Sequence, residues 1–133
     1  MPTYETEKDR ENESETAQLI EAVWDCTVQH LPEYSEIDWA LCRNKEVVAL
    51  AEFKRRKNGK HDFPTILVSV TKILSARAYA AVGLKTFFVV RWADQTGFID
   101  MAEDPDRLEW GGRNGRPTEV VAHYKVDRFR SFK

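Results

Sequence analysis

The chain has 133 residues, of which 42% are hydrophobic and 32% charged, with a formal net charge of −2. That fits one soluble globular domain with a modest core, expected to span residues 1–133. No apolar run approaches a membrane span, the acidic opening MPTYETEKDRENESE has no signal-peptide core, and Cys26 and Cys42 are too few for a disulfide framework or zinc ribbon.

The two cysteines read as buried thiols, placing the chain in a reducing cytoplasm and away from membranes. The charge is unevenly spread. Residues 1–52 carry 13 acids and 4 bases, and residues 53–133 carry 9 acids and 16 bases. Such a separation suggests an acidic site beside a basic binding surface; the plainer reading is an acidic first helix balanced by basic loops.

Residues 1–8 are expected to fray. A helix is predicted from Asp9 to Trp24, with Ala17, Ile20, Val23 and Trp24 on one stripe and Leu19 beside them. Carried backwards, that stripe includes Thr16 and Glu13, so Glu13 faces inward one turn before the core begins. Glu11 and Glu15 fall off it. Glu13 can equally be a solvated acid near the helix start, where negative charge is favourable. CTVQHL (26–31) reads as a short strand ended by Pro32.

The organising stretch is SEIDWALCRNKEVVALAEFKRR, residues 35–56, which reads as a β-hairpin. Asp38 lies in its first arm; Glu52 and Lys54 lie near the end of the second. Side chains at i and i+2 of a strand share a face, so Glu52 and Lys54 point the same way. They end the apolar run VVALAEF, where a charge is costly unless paired or bound to a metal. Asp38 joins that face only if the loop has an odd number of residues. A loop of Asn44, Lys45 and Glu46 sets Asp38 opposite Glu52. A loop of Arg43, Asn44 and Lys45 leaves it one diagonal step away. A two-residue Asn44-Lys45 turn sends it to the other face.

RRKNGKHD follows as a polar loop turning at Asn58-Gly59. Its bases Arg55, Arg56, Lys57 and Lys60 come directly after Lys54. They form either a solvated loop or a phosphate-contacting patch. FPTILVSVTKILSARAYAAVG (63–83) reads as one buried helix, with Pro64 in the first turn and Gly83 at the C-cap. Lys72 shares a helix face with Ser69 and Ser75, as a snorkelling surface lysine or as a group aimed at the site.

KTFFVVRW (85–92) is an unbroken apolar run, expected of a strand covered on both faces. Residues 93–97 turn the chain, and FIDM (98–101) returns it. Residues 102–117 read as an irregular loop, whose Arg113 and Arg116 are candidate backbone contacts. EVVAHYKV (119–126) is predicted as the last strand, and DRFRSFK as a basic tail.

Two carboxylates and a lysine on one strand face suit a divalent cation. Mg²⁺ takes oxygen ligands, usually one or two carboxylates completed by water and substrate phosphate. Asp38 and Glu52 supply the carboxylates, the Phe53 carbonyl a third oxygen, and Glu13 a place for a second ion or a metal-bound water. The cation polarises a phosphoryl oxygen and helps generate hydroxide. Lys54 orients the water or neutralises developing charge. The competing reading is a cross-strand salt bridge without catalysis.

The order α-β-β-β-α-β, with Asp38 followed by Glu52-Phe53-Lys54, resembles the PD-(D/E)XK nuclease superfamily over about residues 9–92. Trp24 ending the first helix, Leu31-Pro32 before the Asp strand, and Glu52 to Arg56 as E-x-K-x-R are similar to small phage-encoded members. Gly111-Gly112-Arg113 and the closing strand are similar more loosely. No proline precedes Asp38; Ile37 stands there.

The resemblance implies a restriction-endonuclease-like α+β fold, with a mixed central sheet flanked by helices and a strand extension over residues 93–133. It implies hydrolysis of DNA phosphodiesters with Mg²⁺, for which Mn²⁺ substitutes. Asp38 and Glu52 would be ligands, Lys54 would assist the water, and Glu13 would be the first-helix acid. Lys72 would be the polar second-helix position near the site. A homodimer is compatible with such a small domain, and the host-cell cytoplasm follows if the chain is phage-encoded. The other readings are a non-catalytic nucleic-acid-binding relative and a structural interaction domain.

Overall fold

The acidic first stretch folds as predicted into helix α1, Glu7–Trp24, starting two residues earlier than the sequence suggests. The structure, a computed structural model, describes residues 7–111 and 118–132. Nine strands and a second helix follow among those residues. β1 is Thr27–His30, β2 Trp39–Arg43, β3 Glu46–Arg55 and β4 Thr65–Ser69; α2 is Val70–Ala81. β5 is Thr86–Arg91, β6 Thr96–Asp100, β7 Arg107–Gly111, β8 Glu119–Lys125 and β9 Arg130–Ser131. No helix among the described residues is long and apolar enough to cross a membrane.

A six-stranded sheet in the order β1-β2-β3-β5-β6-β9 forms the centre. Only the β3–β5 pairing is parallel, so the sheet is mixed, and the chain between those two strands must cross over one face. That crossover carries β4 and α2. Ile20 of α1 packs against Trp39, Leu41, Ala49, Ala51 and Val89 on one face. On the other face Ala40, Leu50, Phe88 and Val90 meet Ile73 and Ala76 of α2, together with Ile66, Val68, Ala122 and Tyr124 of a second sheet. This second sheet has three strands, in the order β4-β8-β7.

Four expectations are corrected here. Residues 63–83 are not one helix. Thr65–Ser69 is a strand whose burial alternates, with Ile66 and Val68 buried and Leu67 exposed, and it pairs with β8. The β-branched run is resolved by period-two packing, and the helix begins only after Ser69. Its end is as predicted: Gly83 takes φ 87°, and the Leu84 N–H reaches back to the Tyr79 carbonyl.

The 102–117 segment contains β7, and β6 begins at Thr96 within the expected turn. β8 is not the last strand, because Arg130–Ser131 pairs with β6 at the sheet edge. Gly112, Arg113 and Arg116 lie outside the described residues.

Candidate active site

The β2–β3 hairpin forms the two-residue turn, the alternative expected to send Asp38 to the other face, yet Asp38 stays on the face of Glu52. Arg43 pairs with Glu46, so the turn has the two residues Asn44 and Lys45, with φ 50° and 68°. Both positive values mark the primed turn that suits a twisted hairpin. Alone, that turn would send Asp38 to the wrong face. The register shifts between Leu41 and Cys42: Cys42 pairs with Val47 but Leu41 pairs with Ala49. Val48 is therefore an extra residue, a β-bulge that restores the odd count. Beyond it Trp39 pairs with Ala51, so Asp38, one residue before the strand, falls on the face of Glu52. The backbone N–H of Phe53 donates to Asp38 Oδ2 at 2.9 Å, and the Asp38 carbonyl accepts from Leu31 N–H at 2.8 Å, so both ends of the aspartate are fixed.

Glu52 points into the α2 side of the sheet, its side chain only 12% exposed. Oε2 lies 3.4 Å from the Lys72 ammonium. Oε1 is buried and has no hydrogen-bond partner among the described residues. Burial first, and the neighbouring Asp38 carboxylate second, push its pKa up to about 8 against the pull of Lys72. Lys54, on the same face, donates from Nζ to the Leu67 carbonyl of β4 at 2.7 Å. Lys72 also donates to the Glu36 carbonyl and sits 3.7 Å from the Glu36 carboxylate. A cavity of about 490 Å³ opens here, lined by Glu52, Lys54, Ser69, Lys72, Glu109 and Glu119 among others.

Two neighbouring carboxylates, Glu52 largely buried with one oxygen unmatched and Asp38 half-buried, fit an oxygen-liganded divalent cation. The donor set is small: no group of three or more His, Cys, Asp or Glu converges among the described residues. Two carboxylates are a usual protein contribution to Mg²⁺, the remaining positions going to water and phosphate.

The family model described as "Phage putative PDDEXK endonuclease" matches residues 1–132. The chain belongs to this PDDEXK phage endonuclease family. Among solved structures it is similar to Hjc, a Holliday junction resolvase of Archaeoglobus fulgidus. The TM-score is 0.57 and the identity 11%, and 91% of each chain is covered, so the likeness is one of fold. No curated protein matches the sequence.

Within the PDDEXK fold the other singled-out residues separate. Of the three competing acids, Glu13 is half-buried, while Glu11 and Glu15 are exposed. Its Oε1 accepts from the Trp39 indole N–H at 3.4 Å and lies 3.6 Å from His30 Nδ1. Trp39 belongs to the α1 side of the sheet, so Glu13 shares a cavity of about 670 Å³ with Asp38 but not with Glu52. Arg55 turns to the α1 side and pairs with Asp9. Arg56 lines the Glu52 cavity and Lys57 is exposed. Lys60, expected on a polar loop surface, is buried; its ammonium lies 5.8 Å from the Trp92 ring centre and 3.5 Å from the Phe129 carbonyl. The apolar stem and an available carbonyl draw it inward.

Three residues of the site, Glu36, Glu109 and Glu119, escape sequence reasoning, and Ser69 enters it only as a neighbour of Lys72. Glu36 anchors Lys72, and Ser69, Glu109 and Glu119 wall the cavity from β4, β7 and β8. Ser69 donates its hydroxyl to Glu119. The β-branched TILVS run, ending in a residue type favoured just before a helix, was the available signal for β4.

Proposed function

We propose that this PDDEXK protein is a divalent-metal-dependent deoxyribonuclease in phage-related DNA processing. The observation supporting the proposal is that the bulged register leaves Asp38 and Glu52 on one face of the sheet, with Glu52 Oε1 buried and unmatched, one strand step from Lys54. Asp38 and Glu52 would hold the cation, Mg²⁺ or Mn²⁺, with the Phe53 carbonyl as a further oxygen. Bound there, such a cation supplies Lewis-acid polarisation of a phosphoryl oxygen.

The chain's own groups do the rest. Phe53 N–H and Leu31 N–H hold Asp38 in place, so its carboxylate need not reorganise as substrate arrives. Lys54, whose ammonium donates to the Leu67 carbonyl, would orient the attacking water and offset charge at phosphorus. Lys72 holds Glu52 in position from α2. Arg56 and Lys57 supply backbone contacts that add affinity without sequence preference. Glu13 acts on the Asp38 side, through the cavity those two share.

The test is cleavage of plasmid and branched DNA with Mg²⁺ or Mn²⁺, comparing the natural chain with Asp38→Ala and Lys54→Ala. Loss of cleavage in both variants supports the proposal; cleavage unaffected by either overturns it. The second reading is a DNA-binding relative that does not cut. It is favoured by the Lys72 ammonium, which already partly neutralises Glu52, and would show as binding without cleavage.

A further inference from the structure

β7 forms one margin of the three-stranded sheet, and its only neighbour among the described residues is β8. All of Arg107–Trp110 is exposed. Leu108 pairs with Ala122 and Trp110 with Val120, so these side chains share the face that is buried further along at Ala122, Val68 and Ile66. Past that core the face is bare: Leu108 is 60% exposed, Trp110 72% and Val120 40%. Arg107 and Glu109 alternate onto the opposite face. Natural edge strands are blunted by proline, by charged side chains, by a bulge or by being short. This five-residue strand has no proline and no bulge, and its two charges, Arg107 and Glu109, offset each other 3.0 Å apart along the strand.

We infer that this edge is a homodimer interface, in which β7 pairs antiparallel with β7 of a second copy across a two-fold axis at Leu108. The charges choose the register. A two-fold axis perpendicular to the sheet keeps each face on its own side, so a residue can oppose only residues of its own parity. Centred on Arg107 the pairing sets arginine against arginine, and centred on Glu109 it sets glutamate against glutamate. Centred on Leu108 it sets Arg107 against Glu109 of the second copy, twice, and Leu108 against itself. Opposite charges directly across strands stabilise and like charges destabilise.

The result is one continuous antiparallel sheet, with the apolar Leu108, Trp110 and Val120 of both copies on one face. Glu109 and Glu119 line the Glu52 cavity from the other face, so both cavities open on the same side. If the nuclease reading holds, two sites then face one duplex; the pairing itself does not depend on that reading.

Sedimentation across a concentration series reads the prediction directly. The natural chain should reach twice 15.4 kDa. Glu109→Arg and Arg107→Glu, each folded by circular dichroism, should be monomers, and the double variant should dimerise again. In a Cys26→Ser, Cys42→Ser background, Leu108→Cys should form an intermolecular disulfide. Its Cα atoms would lie about 5 Å apart, within disulfide reach. Trp110→Cys, about 14 Å from its copy, should not cross-link. A natural chain that stays monomeric, single reversals that still dimerise, a double variant that stays monomeric, or cross-linking at position 110 in place of 108 would each overturn the inference.

Discussion

Without a cation, Glu52 should make the protein less stable as pH rises. Its pKa is raised from the usual 4.5 to about 8 in the folded chain. Between those values the folded state binds a proton that the unfolded chain releases. The contribution is therefore fully present below pH 4.5, is lost as pH climbs through the interval, and is gone above pH 8. One proton corresponds to about 1.4 kcal/mol per pH unit, and allowing for water reaching the cavity we expect a fall of about 2–4 kcal/mol between pH 5 and 8.5.

Urea unfolding in EDTA across that range measures it. Glu52→Gln, which keeps the shape and cannot ionise, should match the natural chain near pH 5 and exceed it near pH 8.5 by that amount. Saturating Mg²⁺ should reverse the trend for the natural chain only, because the cation competes with the proton. Parallel pH profiles for the two proteins in EDTA would refute the placement of Glu52 as a buried carboxylate crowded by Asp38.

Three further outcomes follow from the hairpin and the basic loop. Lys45 sits at φ 68°, so Lys45→Gly should stabilise by about 1 kcal/mol and raise the melting temperature by about 4 °C. Val48 is partly exposed, so Val48→Ala should cost under about 1 kcal/mol, whereas deleting Val48 should cost more than about 3 kcal/mol or prevent folding, read by thermal circular dichroism. Arg56→Ala and Lys57→Ala should each weaken DNA binding and lower the slope of log affinity against log salt by about 1, measured by fluorescence anisotropy.

Much of the architecture is legible because it rests on strong periodicity. Ile20 and Thr16 lie on the buried side of α1 as the stripe requires, and the apolar run at 86–91 becomes the central parallel neighbour of β3. The likeness to the PDDEXK fold rests on that order of elements. What is not legible is whatever depends on a distant partner. Thr65–Ser69 becomes a strand because β8, more than fifty residues on, pairs with it; apolar periodicity does not separate a buried strand followed by a helix from one long helix, and the β-branched TILVS run is the one local sign. Arg107–Gly111 alternates over only five residues, too few to stand out from the loop around it, and Arg130–Ser131 is a strand only through β6. Lys60 belongs to the same class: its burial is set by Trp92 and Phe129, not by the polar loop around it.

The hairpin shows which kind of sequence inference survives a wrong detail. An odd loop was needed to bring Asp38 and Glu52 to one face, and the turn that formed has two residues. The odd residue came from Val48, in a stretch where Val47 and Val48 are both exposed and the apolar pattern cannot say which is extra. Turn length is local and cheap to change. The shared face of Asp38, Ala40, Leu50 and Glu52 is enforced by core contacts on both strands, because a one-residue slip would exchange Leu50 and Ala51 between the two sides of the sheet. Parity is the constrained quantity, and a turn or a bulge can satisfy it equally well. Inferring the loop from a presumed site is therefore weak, but inferring a shared face from two buried, oppositely packed apolar series is strong. The placement of Asp38 across from Glu52 rests on the second.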